Sequence, residues 1–256
     1  MSTLAWIILA AAAGGVISVV VAALFLLAPE RARTAALPYF VSFATGTLLG
    51  AALLALLPSA IQMAGGERFG RIGFAMVIGI LLFFLLEKWI LWRHSHDHEG
   101  GDPAHDHPSR NRAAANLILI GDGIHNALDG VAIAAAFMSG TEIGIVTSIA
   151  VIAHEIPHEV GDFAILLHGG LSRGRALAFN MLSGLTSVLG ALLAYFALQN
   201  ALHALPYAIA LASASLLYVA MANLIPGLQR QLSFAAGLRQ VLLMAAGATL
   251  IFYLAD

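Results

Sequence analysis

The chain has 256 residues, of which 60% are hydrophobic and 10% charged, with a mean hydropathy of +0.89 and a formal net charge of -2. This composition excludes a soluble globule, and it excludes a transmembrane barrel, whose strands of about ten residues would alternate polar with apolar. Cysteine is absent, so disulfides and thiolate metal ligands are excluded as well.

A spanning helix needs about 20 mostly apolar residues. Eight such runs follow one another along the chain, at about 4–28, 39–63, 72–92, 113–138, 143–167, 176–198, 206–226 and 236–255. The predicted fold class is all-α: a polytopic membrane protein with eight transmembrane helices in one domain over 1–256. Helices are favoured because they satisfy their own backbone hydrogen bonds in lipid. The first run, Leu4 to Leu27, lacks a basic segment before it and is longer than the apolar part of a signal peptide, so it reads as a true first helix.

Lysine and arginine alternate in their placement. Arg31, Arg33, Lys88, Arg93, Arg110, Arg112, Arg173, Arg175, Arg230 and Arg239 lie on or beside the odd-numbered connections, against Arg68 and Arg71 on the even ones. Ten against two is a positive-inside signal. It predicts odd connections in the cytoplasm and both termini outside, in a cell (inner or plasma) membrane. An even number of helices requires both termini on one side, which agrees.

The longest connection, about 93–112, joins helices 3 and 4. It carries His94, His96, His98, His105 and His107 among Asp, Gly and Pro, five of the chain's ten histidines. Such a segment buries little apolar surface and is expected to be disordered, and histidine tracts commonly bind metals. The five histidines are candidate residues for loop metal capture. Pro58, Pro157 and Pro226 each remove a helical hydrogen bond; Pro58 and Pro226 predict kinks. Gly46 and Gly50, one turn apart, predict close helix packing.

Helix 4 contains Asp122, His125, Asn126 and Asp129. At about 100° per residue they fall within an arc of roughly 100°. Helix 5 contains His154, Glu155, Pro157, His158, Glu159 and Asp162. Its two histidines are one turn apart, and its two glutamates form a parallel row. Ionisable groups at membrane depth are expensive and mark an ion or substrate path. Neither helix interior supplies a lysine or arginine. Something must therefore balance five carboxylates, and a divalent cation or protons would do so. Imidazole beside carboxylate suits zinc, and less selectively iron, manganese, nickel or cadmium. Two adjacent ligand rows allow two ion positions, and Pro157 frees the carbonyl of Ala153 as a further oxygen.

His154, Glu155 and His158 also satisfy H-E-x-x-H, the zinc-binding signature of metalloproteases. The alternative is therefore an intramembrane zinc metalloprotease. Two features speak against it: Pro157 stands where a continuous helix is wanted, and a hydrolase has little use for Glu159, Asp162 and Asn126. No phosphate-cradling G-x-x-x-x-G-K-[ST] sequence occurs, which argues against ATP hydrolysis.

H-N-x-x-D-G at His125 to Gly130, paired with H-E-x-P-H-E-x-G-D at His154 to Asp162, resembles the ZIP family of divalent-metal transporters. Within it, the resemblance is to the branch with HExPHE in the fifth helix. It covers nearly the whole chain, including the histidine-rich connection. It implies transport rather than an enzyme activity: uptake of zinc, and in some members iron, manganese or cadmium, into the cytoplasm. It further implies a binuclear centre between helices 4 and 5, a homodimer, and an elevator-like motion of one bundle against another. By motif position the ligands would be His125, Asp129, His154, His158 and Glu159, with Asn126 and Glu155 at the second position; Asp122 and Asp162, on the same polar faces, are candidate pathway residues. Expected partners are divalent metal ions, the bilayer and a second copy, not nucleic acid or ATP. Three places depart from the family pattern. Ser187 stands for a frequent carboxylate in helix 6, residues 49–58 are apolar where Asp and His are frequent, and Asn223 replaces a frequent acid in helix 7.

Overall fold

The computed structural model describes residues 1–65, 69–96, 108–168, 170–230 and 233–255; within the helices, the side chains of 90–118 and of residue 168 are outside the described set. The described residues form eight helical rods: α1 (Thr3–Phe25), α2 (Glu30–Met63), α3 (Phe69–His96), α4 (Pro108–Ser139), α5 (Thr141–His168), α6 (Arg173–Gln199), α7 (Leu202–Leu228) and α8 (Phe234–Ala255). Seven of them are long and apolar enough to cross a membrane; α4, with its four polar residues, is the eighth. The all-α polytopic expectation is met.

Two predicted boundaries are corrected. The second helix begins at Glu30, not near 39, with Pro38 inside it. At about 1.5 Å per residue its 34 residues exceed a hydrocarbon core of about 30 Å, so the polar first turns need not be in lipid. Apolar runs mark the part of a helix in hydrocarbon, and here the helix is longer than that part. Helices α3 and α4 also enter the expected loop of about 93–112 from both sides, reaching His96 and starting at Pro108. His98, His105 and His107, and the side chains of His94 and His96, lie outside the described residues, so the loop capture site has no structural account.

The two expected kinks take a definite form. Residues Ala51–Leu56, before Pro58, and Val219–Leu224, before Pro226, are π-helical. A wider turn ahead of a proline relieves the clash of its ring with the carbonyl one turn earlier. The buried Ser213 hydroxyl of α7 donates to the Ala52 carbonyl in the first of these turns at 2.8 Å, tying α7 to α2.

Packing divides the rods into two bundles. One comprises α1, α4, α5 and α6; the other pairs α2 with α8 and α3 with α7. They meet where α2 crosses α5 and where α7 lies against α4. The shared core is rich in alanine and isoleucine, with Ala132 to Ala136 of α4 nearly inaccessible. Close approach of α4 to α6 depends on two glycines. A Cβ on Gly130 would sit 1.8 Å from the Ser187 carbonyl oxygen, and one on Gly190 would sit 2.0 Å from that of Ala127. Small residues permit such contact where helices have no hydrophobic drive to associate in lipid. The outer faces of α3 and α8 expose Phe74, Leu81, Leu85, Leu242 and Tyr253, as lipid-facing surface should.

Candidate metal centre

The α4–α6 seam sets the rotation of α4, and α4 packs along α5. The polar arcs of α4 and α5 consequently face each other. Asp122, Asn126, Asp129, His154, Glu155, Glu159 and Asp162 are all buried, while His125 and His158 are partly accessible.

Four ligand atoms converge. His125 Nε2 lies 3.2 Å from His154 Nε2 and 3.2 Å from Glu155 Oε1; His154 Nε2 lies 3.3 Å from Glu155 Oε1 and 3.2 Å from Asp129 Oδ2. Bond lengths of about 2.0–2.1 Å in a tetrahedral zinc site put ligand atoms roughly 3.3 Å apart. Four of the six edges thus have the span of a tetrahedral cage. The orientation of His154 fits as well: its Nδ1 is 3.1 Å from the Ala150 carbonyl. Donation of the Nδ1 proton to that oxygen leaves the Nε2 lone pair facing the cage, the usual outer support of a metal-binding histidine.

A second group adjoins the first. Asp122, His158 and Glu155 can also bring ligand atoms within 4.8 Å of one another. His158 Nδ1 is 3.7 Å from Asp122 Oδ1 and 3.3 Å from Asp162 Oδ2. The His125 and His158 rings stack at 5.0 Å, linking the two groups. Glu155 belongs to both.

The imidazoles approach the carboxylates at ion-pair distance without hydrogen-bond alignment. Among the described residues, both oxygens of Asp129, Glu155 and Glu159 and Oδ2 of Asp122 have no hydrogen-bond partner. No lysine or arginine among those residues pairs with them. Buried, unpaired carboxylates are strongly unfavourable unless a cation or protons compensate them.

Placement differs from the motif-based ligand set in two respects. Glu159 is fully buried but lies in neither group of histidines and acids. The Asn126 amide nitrogen donates to Asp122 Oδ1 at 2.9 Å and to its carbonyl at 3.2 Å, so Asn126 orients Asp122. Ser187 is buried on the Gly130 seam, where its carbonyl makes the close contact. Asn223, by contrast, lines a cavity of about 230 Å³ together with Asp122, His125, His158 and Asp162. Glu87 of α3 and Tyr218 of α7 line it too, and neither emerged from the motifs. The signal for Glu87 was available: it is a carboxylate directly after the apolar stretch Ile72 to Leu86.

Helix α5 runs on through Pro157, so helix continuity is no objection to a protease. Separation of the histidines is. A protease would bring His154 and His158 to one ion, whereas here they belong to different groups.

The family described as ZIP Zinc transporter matches residues 2–109 and 92–255. The chain belongs to the ZIP zinc transporter family. Relatives of this ZIP chain include zinc transporter ZIP13 of Pongo abelii, 34% identical over 82% of the chain and 64% of that protein. Zinc transporter YKE4 of Saccharomyces cerevisiae is 36% identical over 60% of the chain and 47% of its own length. Human zinc transporter ZIP10 is 40% identical over 53% of the chain and 17% of its own length. The ZIP chain therefore spans only part of the length of these curated relatives.

Proposed function

We propose that the protein carries divalent transition-metal ions across a membrane, zinc foremost, with iron, manganese and cadmium chemically admissible. It is a transporter and not an enzyme, as its relatives are named. The ions use two adjacent positions between α4 and α5. His125, Asp129, His154 and Glu155 hold one; Asp122, Glu155 and His158 hold the other. Asn126 and Asp162 orient Asp122 and His158, and Glu159 adds negative charge behind them. The direction is toward the cytoplasm, as the family resemblance implies, and both termini lie outside, a topology that the lysine and arginine bias supports. Assembly as a homodimer, implied by the family, belongs to the same proposal.

The observation that carries this reading is the four-atom cage with edges of 3.2–3.3 Å. Its two imidazole nitrogens and two carboxylate oxygens make a borderline donor set, better suited to zinc than to magnesium or calcium. Binding requires neutral histidines and ionised carboxylates, so loading should release protons.

The decisive experiment loads purified protein into liposomes with metal on one side only and follows flux of zinc, iron, manganese and cadmium. The expected result is zinc flux in the wild-type chain and none with His154→Ala at preserved helicity. Equal zinc flux in both would refute the assignment.

A further inference from the structure

The opening turns of α2 and α8 lie side by side and enclose a cavity of about 190 Å³. Thr34, Pro38, Tyr39 and Ser42 line it from α2, and Arg239 and Gln240 from α8. None of these residues belongs to either ligand group of the metal centre. Arg239 donates through Nη1 to the Tyr39 hydroxyl at 2.8 Å and through Nε to the Ala235 carbonyl at 3.1 Å. Its guanidinium carbon also lies 5.6 Å from the centre of the Tyr39 ring. An arginine has five N–H donors, so three of them have no partner among the described residues. Tyr39 accepts in this pair, which leaves its own proton to donate. The Thr34 and Ser42 hydroxyls, by contrast, already donate to the Glu30 and Pro38 carbonyls. The tyrosine thus fixes the arginine without cancelling its charge, and among the described residues no acid lines the cavity. A fixed guanidinium beside a phenol proton is a donor set for an oxyanion. The space is enough for a phosphate group with several waters, at roughly 30 Å³ per water.

The setting favours a lipid as the source of that oxyanion. Both helices begin on one face of the membrane, and helical side chains lean toward the N-terminus, so Arg239 reaches toward the headgroup layer. Residues 30–42 and 228–243 together hold four arginines, Arg31, Arg33, Arg230 and Arg239, against one acid, Glu30. Phe40, Leu238 and Leu242 on the same turns are exposed, as residues in contact with acyl chains should be. Basic pockets between membrane helices take acidic lipid headgroups. We propose that this cavity binds the phosphate of an acidic phospholipid. Arg239 meets its charge, Tyr39 donates to one of its oxygens, and the bound lipid clamps the starts of α2 and α8 together. This proposal is independent of the transport reading.

The test follows thermal unfolding of the purified full chain in a neutral detergent, with phosphatidylglycerol, phosphatidylcholine or inorganic phosphate added. The wild-type chain is compared with Arg239→Gln, Arg239→Lys and Tyr39→Phe, and with Arg173→Gln, at the start of α6 in the other bundle, as the control for general charge. The quantity read is the shift that the lipid induces, so a variant that is less stable by itself stays informative. At a hundredfold excess of phosphatidylglycerol over its dissociation constant, the wild-type melting temperature should rise by about 5–10 °C. Phosphatidylcholine and inorganic phosphate should leave it in place. The shift should be lost in Arg239→Gln, partly kept in Arg239→Lys, which retains the charge without the fork, reduced in Tyr39→Phe and full in Arg173→Gln. Equal shifts in the wild type and Arg239→Gln overturn the proposal, and so does an equal shift with phosphatidylcholine. An equal shift with inorganic phosphate marks a free-ion site and overturns the lipid assignment. Where Arg239→Gln does not fold, Tyr39→Phe decides: an undiminished shift there overturns the proposal.

Discussion

Gly130→Ala tests whether the α4–α6 seam sets the geometry of the metal centre. The added Cβ would lie 1.8 Å from the Ser187 carbonyl oxygen and 2.8 Å from the Ala191 nitrogen, both backbone atoms that no rotamer change can move. Ordinary contact needs roughly 3.4 Å, so the two helices must separate by about 1.5 Å or tilt by an equivalent amount. Overpacking of this kind typically costs about 1–3 kcal/mol, which for a chain of this size lowers the melting temperature by some 2–10 °C. Asp129 directly precedes Gly130. A shift of even half that displacement takes Asp129 Oδ2 from its present 3.2 Å to His154 Nε2 out of the cage span. Metal–ligand distances tolerate only about 0.2 Å. Zinc affinity and flux should then fall by roughly a hundredfold, the scale of a 1 Å misplacement at a reacting centre. Gly161→Ala is the control: it lies on α5 between Glu159 and Asp162, yet a Cβ there meets nothing within 4 Å. Thermal unfolding in detergent and flux in liposomes read both effects. A Gly130→Ala protein that melts and transports like the wild type would refute the claim that this seam positions the site.

Other substitutions test the two proposed ion positions. Glu155→Gln should weaken both bound zinc ions by about tenfold or more, since Glu155 is common to both groups, and equilibrium dialysis would show it; a protease would instead keep its zinc and lose turnover. His125→Ala should weaken one ion and His158→Ala the other, and loss of the same single ion in both variants would contradict the grouping. Removal of residues 94–107 should leave zinc flux present with an altered apparent affinity, whereas complete loss would make the connection part of the pathway.

Much of the architecture was legible because lipid imposes a simple code. An apolar run of fixed length can only be a helix, and polar residues inside such a run stand out. The arcs of α4 and α5 were correctly drawn on one face each. Which carboxylate of α5 meets α4 was not legible. Glu155 and Glu159 occupy the same row at 3.6 residues per turn, and the difference between them is height along the axis and a modest rotation. Those quantities follow from how α5 packs on α4 and α1, which no residue of the motif records. The π turns escaped for a related reason: proline announces a lost hydrogen bond but not how the backbone absorbs it. Glu87 was missed because its neighbour Lys88 drew it into the charged end of the run, where an acid looks solvated. Only the packing of α3 on α7 reveals the cavity that it faces.

Glu155 stands between two groups of ligands, and this has a kinetic consequence. In the proposed two-ion centre, a carboxylate that completes one coordination shell cannot donate fully to another, and two dications so close would repel each other. Filling one position should therefore loosen the other, a negative coupling built from a single side chain. An arriving ion would expel the resident one by knock-on. Tight capture from dilute solution and fast release would then coexist, because the second ion supplies the push that the first position alone would resist.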